Sequence, residues 1–344
     1  MTEQPRVTVV IPAYNANWSI ARTVRSVLQQ SFSDFEVVVV DDGSSEDPAA
    51  VLGGVLRRDG RFRLVRQSNQ GLAAARNRGV AESRAPLIAP LDADDLWHPD
   101  YLRSLVEALD QRPDAPFAFA YCFRIDRDDR LISRADHPKP PRHDFLGLLS
   151  LNSVGCGSAA VFRRAALRAA GGYDENLRAR GLEGAEDWKL VLALASKAEP
   201  CLVARQLVGY RLTAKSMSQA NPRRQFAAVM TVLEHARTAY PETPPRWFAD
   251  SRTMMIAWLL PAFLARRDFL SALTLAVRAY LLNPLWFRNP SVWGVHRSKL
   301  SLALTALSDG LQGRRRPDRP LWKAVFDGEQ PFRYMAPGAD VSGN

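Results

Sequence analysis

The sequence has few cysteines and no long apolar run, and each absence excludes a class of protein. Its three cysteines, Cys122, Cys156 and Cys201, lie far apart, form no Cys-x-x-Cys pair and have no histidine close by. This spacing argues against a zinc site or a disulfide framework and suits a reducing cytoplasm. The most apolar stretch, Met254 to Ala265, contains a proline and is too short to cross a bilayer. Residues 1–6 lack the profile of a signal peptide, so we expect a cytoplasmic protein.

The composition is that of a globular protein, and its charge is unevenly distributed. The chain has 344 residues, of which 47% are hydrophobic and 24% charged, enough for one large domain and a smaller appendage. Residues 1–220 contain 29 basic and 27 acidic side chains, whereas residues 221–344 contain 17 and 9. The basic C-terminal part suits an acidic partner, such as a membrane or a phosphate-bearing acceptor, or is simply a solvated basic face.

Apolar segments alternate with helical patterns over the first 125 residues. The predicted strands are 7–12, 35–40, 62–66 and 86–91, and the predicted helices are 18–30, 47–58, 72–83 and 99–110. Strands that are apolar on both faces predict a doubly wound, mostly parallel sheet with helices on both faces. Ligands bind such sheets beyond the carboxyl ends of the strands.

The second part of the pattern is less regular and then becomes helical. Residues 124–151 are polar and proline-bearing and are interpreted as strand ends and a long loop. A strand at 157–162, helices at 163–170 and 186–196, and two short strands at 201–204 and 207–211 follow. Beyond Gln219 the predicted helices are 223–240, 247–264, 269–282 and 295–311.

We therefore divide the chain into an α/β domain at 1–220, a helical C-terminal region at 221–312, and a basic, loosely ordered tail at 313–344. Tryptophans lie among arginines in the C-terminal region. Without a recognisable nucleic-acid-binding module, packing explains them better, and no nucleic-acid partner is expected.

Acidic residues cluster at the ends of three predicted elements. Asp41-Asp42-Gly43-Ser44 follows the second strand, Asp92-Ala93-Asp94-Asp95 the fourth, and Glu186-Asp187 opens a helix. Each has an ordinary alternative as a turn, a cap or a favourable charge at a helix N-terminus. Three carboxylates in four residues repel one another unless a cation gathers them, and hard oxygen ligands suit Mg²⁺ or Mn²⁺ shared with substrate phosphates.

A small-residue helix supplies a second indication of phosphate chemistry. Gly71 precedes a helix that carries Arg76 and Asn77 one to two turns in. A helix N-terminus favours anions, and an arginine adds bidentate contacts to phosphate. Close packing is the ordinary alternative for such an alanine-rich helix.

Five segments in this order resemble the GT-A fold inverting glycosyltransferases of family 2. They are Val9 to Asn15, Asp41 to Ser44, Gly71 to Asn77, Leu91 to Asp95, and Glu186 to Trp188. The resemblance covers about residues 5–215. Thr213 stands where many relatives have a histidine, and there is no Gln-x-x-Arg-Trp signature, so the processive synthases of the family are a poor comparison.

The resemblance implies a role for each matching residue. Asp187 would be the general base that takes a proton from the acceptor hydroxyl, and Asp94 the direct ligand of Mn²⁺ or Mg²⁺. The residues expected to bind the nucleotide sugar are Pro12, Ala13, Tyr14, Asn15, Asp41, Asp42, Arg76 (near the diphosphate) and Asp92. Further candidate residues are Glu186, Arg211 and Lys215, the last two as partners of the diphosphate.

The resemblance also implies the reaction and its partners. The donor would be a nucleotide-diphosphate sugar, with UDP-sugar as the expected case, and the acceptor a carbohydrate or a lipid-linked molecule. Polysaccharide or glycolipid assembly at the inner face of the cell membrane would follow, with peripheral membrane contact through the basic C-terminal region. Two alternatives stay open: a sugar nucleotidyltransferase, and a non-catalytic protein on the same scaffold.

Overall fold

The computed structural model describes residues 4–134, 142–213 and 221–284, which contain a nine-stranded sheet and the helices around it. The strands are β1 (Val7–Ala13), β2 (Phe35–Asp41), β3 (Phe62–Arg66), β4 (Leu87–Pro90), β5 (Leu96–Trp97), β6 (Phe117–Ile125), β7 (Leu131–Arg134), β8 (Ala160–Arg163) and β9 (Cys201–Arg211). The helices are α1 (Ile20–Leu28), α2 (Ala49–Arg58), α3 (Leu72–Glu82), α4 (Tyr101–Gln111), α5 (Phe145–Ser150), α6 (Arg164–Ala169), α7 (Asn176–Ala179), α8 (Glu186–Ala195), α9 (Pro222–Ala239), α10 (Pro245–Ala265) and α11 (Phe269–Leu282).

The sheet runs in the order β3-β2-β1-β4-β8-β6-β9-β5, and β7 pairs with β6. Every residue of β1 and β2 is buried, because helices cover both faces of the sheet. The longest pairings, β1 with β2 and β6 with β9, are parallel, and β8 runs antiparallel between β4 and β6. The predicted fold class, a mostly parallel α/β sheet, is confirmed.

The strand directions bring distant segments to one edge of the sheet. Ala13 pairs with Asp41, and Asp41 pairs with Arg66, so β1, β2 and β3 end side by side. The antiparallel β8 restores the direction of β4 in β6 and β9, so β9 ends at the same edge, at Arg211. The acidic turn Asp92–Asp95 follows β4 and leads into β5, which pairs with the end of β9.

Three predictions for the part of the chain after α4 need correction. A short helix, α5, lies inside the predicted loop, where the Asp144 side chain caps it by accepting a hydrogen bond from the Gly147 amide at 3.1 Å. The two strands predicted after residue 200 are one strand, β9, whose pairing with β6 shifts register on either side of Tyr121. The predictions also left out β6, although its residues are almost all buried.

The three C-terminal helices pack onto the rest of the described chain and onto one another. α9 contacts α8, and α10 contacts α5, α9 and α11. The Ser251 hydroxyl of α10 donates to the Leu149 carbonyl of α5 at 2.6 Å. The helix predicted at 295–311 and the tail at 313–344 lie outside the described residues. Within the part of the chain that the structure describes, no helix has both the length and the apolarity of a membrane span.

Candidate active site

A cleft of about 630 Å³ lies at the edge where β1, β2, β4 and β9 end. Its walls come from the turns that follow these strands, the start of α3, α7 and the segment after α7. The lining residues are Pro12, Ala13, Tyr14, Ala16, Trp18, Ser19, Asp42, Asn69, Gly71, Leu72, Ala75, Asp92, Ala93, Asp94, Arg178, Glu183, Tyr210 and Arg211. Segments up to 200 residues apart in sequence therefore share one cavity of the size that ligands use.

The three aspartates after β4 have different environments. Asp92 and Asp94 line the cleft. Asp95 is buried and accepts hydrogen bonds from the Ser158 hydroxyl at 2.6 Å and the Arg211 amide at 2.8 Å. Burial and the negative charge of Asp92 raise the pKa of Asp94 to about 6. Two neighbouring carboxylates with this electrostatic repulsion suit a bound cation.

The guanidinium of Arg76 is buried behind the cleft and holds two carboxylates. Its Nη2 donates to Asp92 Oδ1 at 2.6 Å and its Nη1 to Glu186 Oε1 at 2.9 Å. Arg76 is not among the residues that line the cleft. Its predicted contact with the diphosphate stays a prediction, and the observed contacts are with the acidic residues.

Asp187 lies next to this network at the start of α8. Its carboxylate accepts a hydrogen bond from the Trp188 amide at 2.7 Å. Burial and the charge of Glu186 raise the pKa of Asp187 to about 7, although Arg76 opposes the shift. Asp187 is partly exposed but does not line the cleft itself. A carboxyl group with this pKa, beside a cleft, has the properties of a general acid or base.

Arg211 lines the cleft but is fully engaged by its surroundings. Its Nε donates to the Asp94 carbonyl at 2.6 Å, its Nη1 to the Asp126 carbonyl and its Nη2 to the Asp129 carboxylate. The side chain thus ties the acidic turn to the turn between β6 and β7. Lys215 lies outside the described residues.

Asp41, Asp42 and Asn15 organise the turns at the base of the cleft. The Asp41 carboxylate accepts from the Ser44 amide at 3.0 Å, and Asn15 Oδ1 accepts from the Ser45 amide at 2.9 Å. Neither Asp41 nor Asn15 lines the cleft, whereas Asp42, Pro12, Ala13 and Tyr14 do.

Asp42 has a structural task as well as a place in the cleft. Its two oxygens accept three hydrogen bonds of 2.8 Å, from the Gln67 side chain and from the amides of Gln70 and Gly71. The side chain therefore fixes the approach to α3. Tyr14 is 56% exposed and offers its ring to the cleft.

The sequence predictions missed several residues of the cleft. Trp18 is 42% exposed and lies close to the guanidinium groups of Arg22 and Arg211, with ring-centroid distances of 5.9 and 6.0 Å. Arg178 of α7 and Glu183 of the segment that follows α7 also line the cleft. The available signal for Trp18 was a tryptophan at the start of a predicted helix, just after the first strand. Nothing in the local sequence marks Arg178, because its position depends on how residues 176–185 fold over Gly71.

The acidic turn fits a metal ion that shares its ligands with a substrate. Among residues 4–134, 142–213 and 221–284 no group of three or more His, Cys, Asp or Glu side chains is arranged around a metal position. Mg²⁺ and Mn²⁺ bound together with substrate phosphates use only one or two protein carboxylates. Asp94, supported by Asp92, supplies that number, and Asp92 already shares one oxygen with Arg76.

Comparisons with known proteins agree with this fold. Residues 8–171 match the family model "Glycosyl transferase family 2". An uncharacterized glycosyltransferase of Nostoc is 32% identical over 149 residues, 43% of this chain and 46% of that protein. Chondroitin synthase of Escherichia coli is 37% identical over 131 residues, 38% of this chain and 19% of that protein. The chain thus spans less than half the length of these curated relatives.

Two solved structures share the fold. S. aureus TarS 1–349 in complex with UDP-GlcNAc has a TM-score of 0.58 at 15% identity, covering 90% of this chain and 93% of that one. The mannosyltransferase PcManGT from Pyrobaculum calidifontis, in complex with GDP-Man and Mn²⁺, has a TM-score of 0.55 at 21% identity, covering 90% and 88%.

The sheet and the helices around it have the GT-A fold. Residues 8–171, just under half of the chain, match glycosyl transferase family 2, and the resemblance stated above is confirmed.

Proposed function

We propose that this protein is an inverting glycosyltransferase that moves a sugar from a nucleotide-diphosphate donor to an acceptor hydroxyl. The observation that carries the proposal is the pairing of a cleft lined by Asp92 and Asp94 with the adjacent carboxyl of Asp187, whose pKa is raised to about 7. Asp92 and Asp94 face the part of the cleft where the charged leaving group would lie, and the separate carboxyl of Asp187 is suited to proton transfer.

The donor lies along the cleft with its nucleoside at the Tyr14 end. Pro12, Ala13 and Tyr14 offer an apolar wall and an exposed ring to a base, and Asp42 lies beside them. The UDP-GlcNAc and GDP-Man bound in the two similar structures support a nucleoside diphosphate as the common donor group. A UDP-sugar is the expected donor.

Asp187 takes the proton of the acceptor hydroxyl as its oxygen attacks the anomeric carbon. The bond from that carbon to the diphosphate oxygen breaks in the same displacement, so the anomeric configuration inverts. Because Asp187 ionises near pH 7, its carboxylate is available and still basic at neutral pH. Glu186 stays paired with Arg76 and does not touch the reacting atoms. Through Arg76 it helps to hold Asp92 in position.

A divalent metal held by Asp94, with Asp92 beside it, would neutralise charge on the leaving diphosphate. Arg76 keeps Asp92 in place from behind, through its 2.6 Å hydrogen bond. Arg211 orients the backbone of Asp94 through its carbonyl.

The domain division and the partners are part of the proposal. Residues 1–220 would form the catalytic domain, residues 221–312 a helical region and residues 313–344 a basic tail. The acceptor is a carbohydrate or a lipid-linked molecule of cell-surface polysaccharide or glycolipid synthesis. Exposed apolar side chains on α11, together with the basic excess of residues 221–344, support contact with the inner face of a membrane.

The test is a panel of nucleotide sugars, measured for binding and hydrolysis with Mn²⁺ or Mg²⁺. Wild type should bind one donor, Asp94→Ala should lose metal-dependent binding, and Asp187→Asn should bind normally but turn over roughly a hundredfold or more slowly. If no donor binds with either metal, the non-catalytic alternative replaces this proposal. Synthesis of a nucleotide sugar from a nucleoside triphosphate and a sugar phosphate would favour the nucleotidyltransferase.

A further inference from the structure

Arg178 is a cleft residue whose guanidinium is held in place by its neighbours. Its Nη2 donates to Asn69 Oδ1, and its Nε lies 3.9 Å from Glu183 Oε1. Glu183 is itself bound through its other oxygen by Arg224 of α9, at 2.7 Å. The two arginines therefore share one carboxylate, and these three side chains together carry one net positive charge.

A glycine at the start of α3 makes room for this side chain. Gly71 has a φ of +96°, a conformation that favours glycine. A β-carbon at this position would lie 2.7 Å from Arg178 Cδ and 2.8 Å from Nη1. The guanidinium thus rests directly against the backbone where the cleft meets α3.

One nitrogen of this guanidinium lacks an acceptor. Within the described ranges, Nη1 of Arg178 is enclosed and makes no hydrogen bond, whereas 39% of the side-chain surface stays exposed. A desolvated cationic nitrogen without an acceptor is costly, so the guanidinium would gain from an anionic acceptor bound in the cleft that this side chain lines.

The other two arginines of the site are already occupied. Arg76 lies behind the cleft between Asp92 and Glu186, and Arg211 binds two backbone carbonyls and Asp129. Arg178 differs from both because its direct hydrogen bond goes to a neutral amide and its nearest carboxylate is shared. It is therefore the cleft arginine with charge left to compensate.

We propose that Arg178 is a donor-binding residue whose guanidinium takes an anionic oxygen of the donor diphosphate. This inference rests on the proposed function, since it deepens the account of the same cleft. It transfers to Arg178 the phosphate contact that the sequence led us to expect of Arg76. A guanidinium held by Asn69 and Glu183 needs little reordering to bind, which favours affinity.

The test compares nucleoside diphosphates with nucleosides by calorimetry, using UDP and GDP against uridine and guanosine, with and without Mn²⁺. Arg178→Ala should weaken binding of the diphosphate roughly ten- to a hundredfold, as expected for a hydrogen bond to a charged group. Binding of the matching nucleoside should change little. Arg178→Lys, which keeps the charge, should recover part of the loss.

Arg180→Ala is the matched control, because Arg180 is an exposed arginine two residues further along the same segment. Arg178→Ala leaves Glu183 paired with Arg224, so the variant should fold, which a thermal melt checks. Equal diphosphate binding by wild type and Arg178→Ala would overturn the inference. An equal loss of nucleoside binding would assign Arg178 to the base and overturn it as well. If wild type binds neither UDP nor GDP, the proposed function fails, which is a different result.

Discussion

Two carboxylates share the positive charge of Arg76. Asp92 and Glu186 each receive a direct hydrogen bond from the guanidinium, at 2.6 and 2.9 Å. Among the described residues, Asp187 accepts a hydrogen bond only from the Trp188 amide, and it lies beside the charge of Glu186. Two carboxylates are thereby hydrogen-bonded to the guanidinium, whereas the third has its pKa raised, so neighbouring acidic residues acquire different chemical roles.

This division predicts the pH dependence of the reaction. The pKa of Asp187 is raised from the ordinary 3.8 to about 7. A general base acts as the carboxylate, so kcat/KM should rise about tenfold per pH unit below pH 7 and level off above it. Initial rates in buffers from pH 5.5 to 8.5, with thermal melts to confirm folding at each pH, test this. A flat profile across that range would remove Asp187 from the role of base.

At the scale of elements, the short turn before β8 positions the site from behind. Gly157 opens a 3-10 turn of residues 157–159, and the next residue, Ser158, binds both the Asp92 amide and Asp95 through its hydroxyl. A β-carbon on Gly157 would lie 2.2 Å from Arg76 Nη2 and 2.9 Å from its Cζ. The turn and α3 approach so closely that the buried guanidinium fills the space a side chain would need.

Gly157→Ala should therefore displace Arg76 from its carboxylates. We expect a loss of about 1–3 kcal/mol of unfolding free energy, the usual cost of overpacking a core. The transfer rate should fall more than donor affinity, because Asp92 and Glu186 lose their shared partner. Thermal melts and kinetics measure both effects. Gly54→Ala in α2, where nothing lies within 4 Å of an added β-carbon, is the control and should be neutral or stabilising.

The accuracy of the sequence predictions differs between the elements. β1 to β4 and α1 to α4 were predicted close to their observed bounds, because apolar runs and helical periods are local patterns. α5 and the single strand β9 were not, since a six-residue helix has little periodicity and the register shifts of β9 depend on its partner β6.

For the whole molecule, α11 has one face in the fold and one face exposed. Ala272, Leu275 and Ala279 pack against α10, whereas the opposite face is exposed and apolar. Its exposed residues are Phe269, Leu270, Leu273, Val277, Tyr280 and Leu281. An apolar helix face in a basic region has the chemistry of an interfacial helix on anionic lipid.

This surface predicts binding to anionic vesicles. Wild type should co-sediment with phosphatidylglycerol vesicles and not with phosphatidylcholine vesicles, and Leu270→Glu with Leu273→Glu should reduce binding several-fold. Thr274→Glu adds the same charge on an exposed position of the same helix without removing apolar surface, and should change binding less. No binding of wild type to either vesicle would contradict the membrane contact. Dimerisation in light scattering would indicate that the face meets a second copy instead.

The sequence by itself determined the fold class, the family and the acidic turn that lines the cleft. These follow from local patterns, since strand periodicity and the order of short motifs are written along the chain. Tertiary structure alone decided what each charged side chain does. Arg76 became a buried partner of Asp92 and Glu186, Asp95 a hydrogen-bonded support, and Arg178 part of the cleft wall. Burial, charge balance and the available partners are properties of a three-dimensional neighbourhood, and residues distant in sequence supply that neighbourhood.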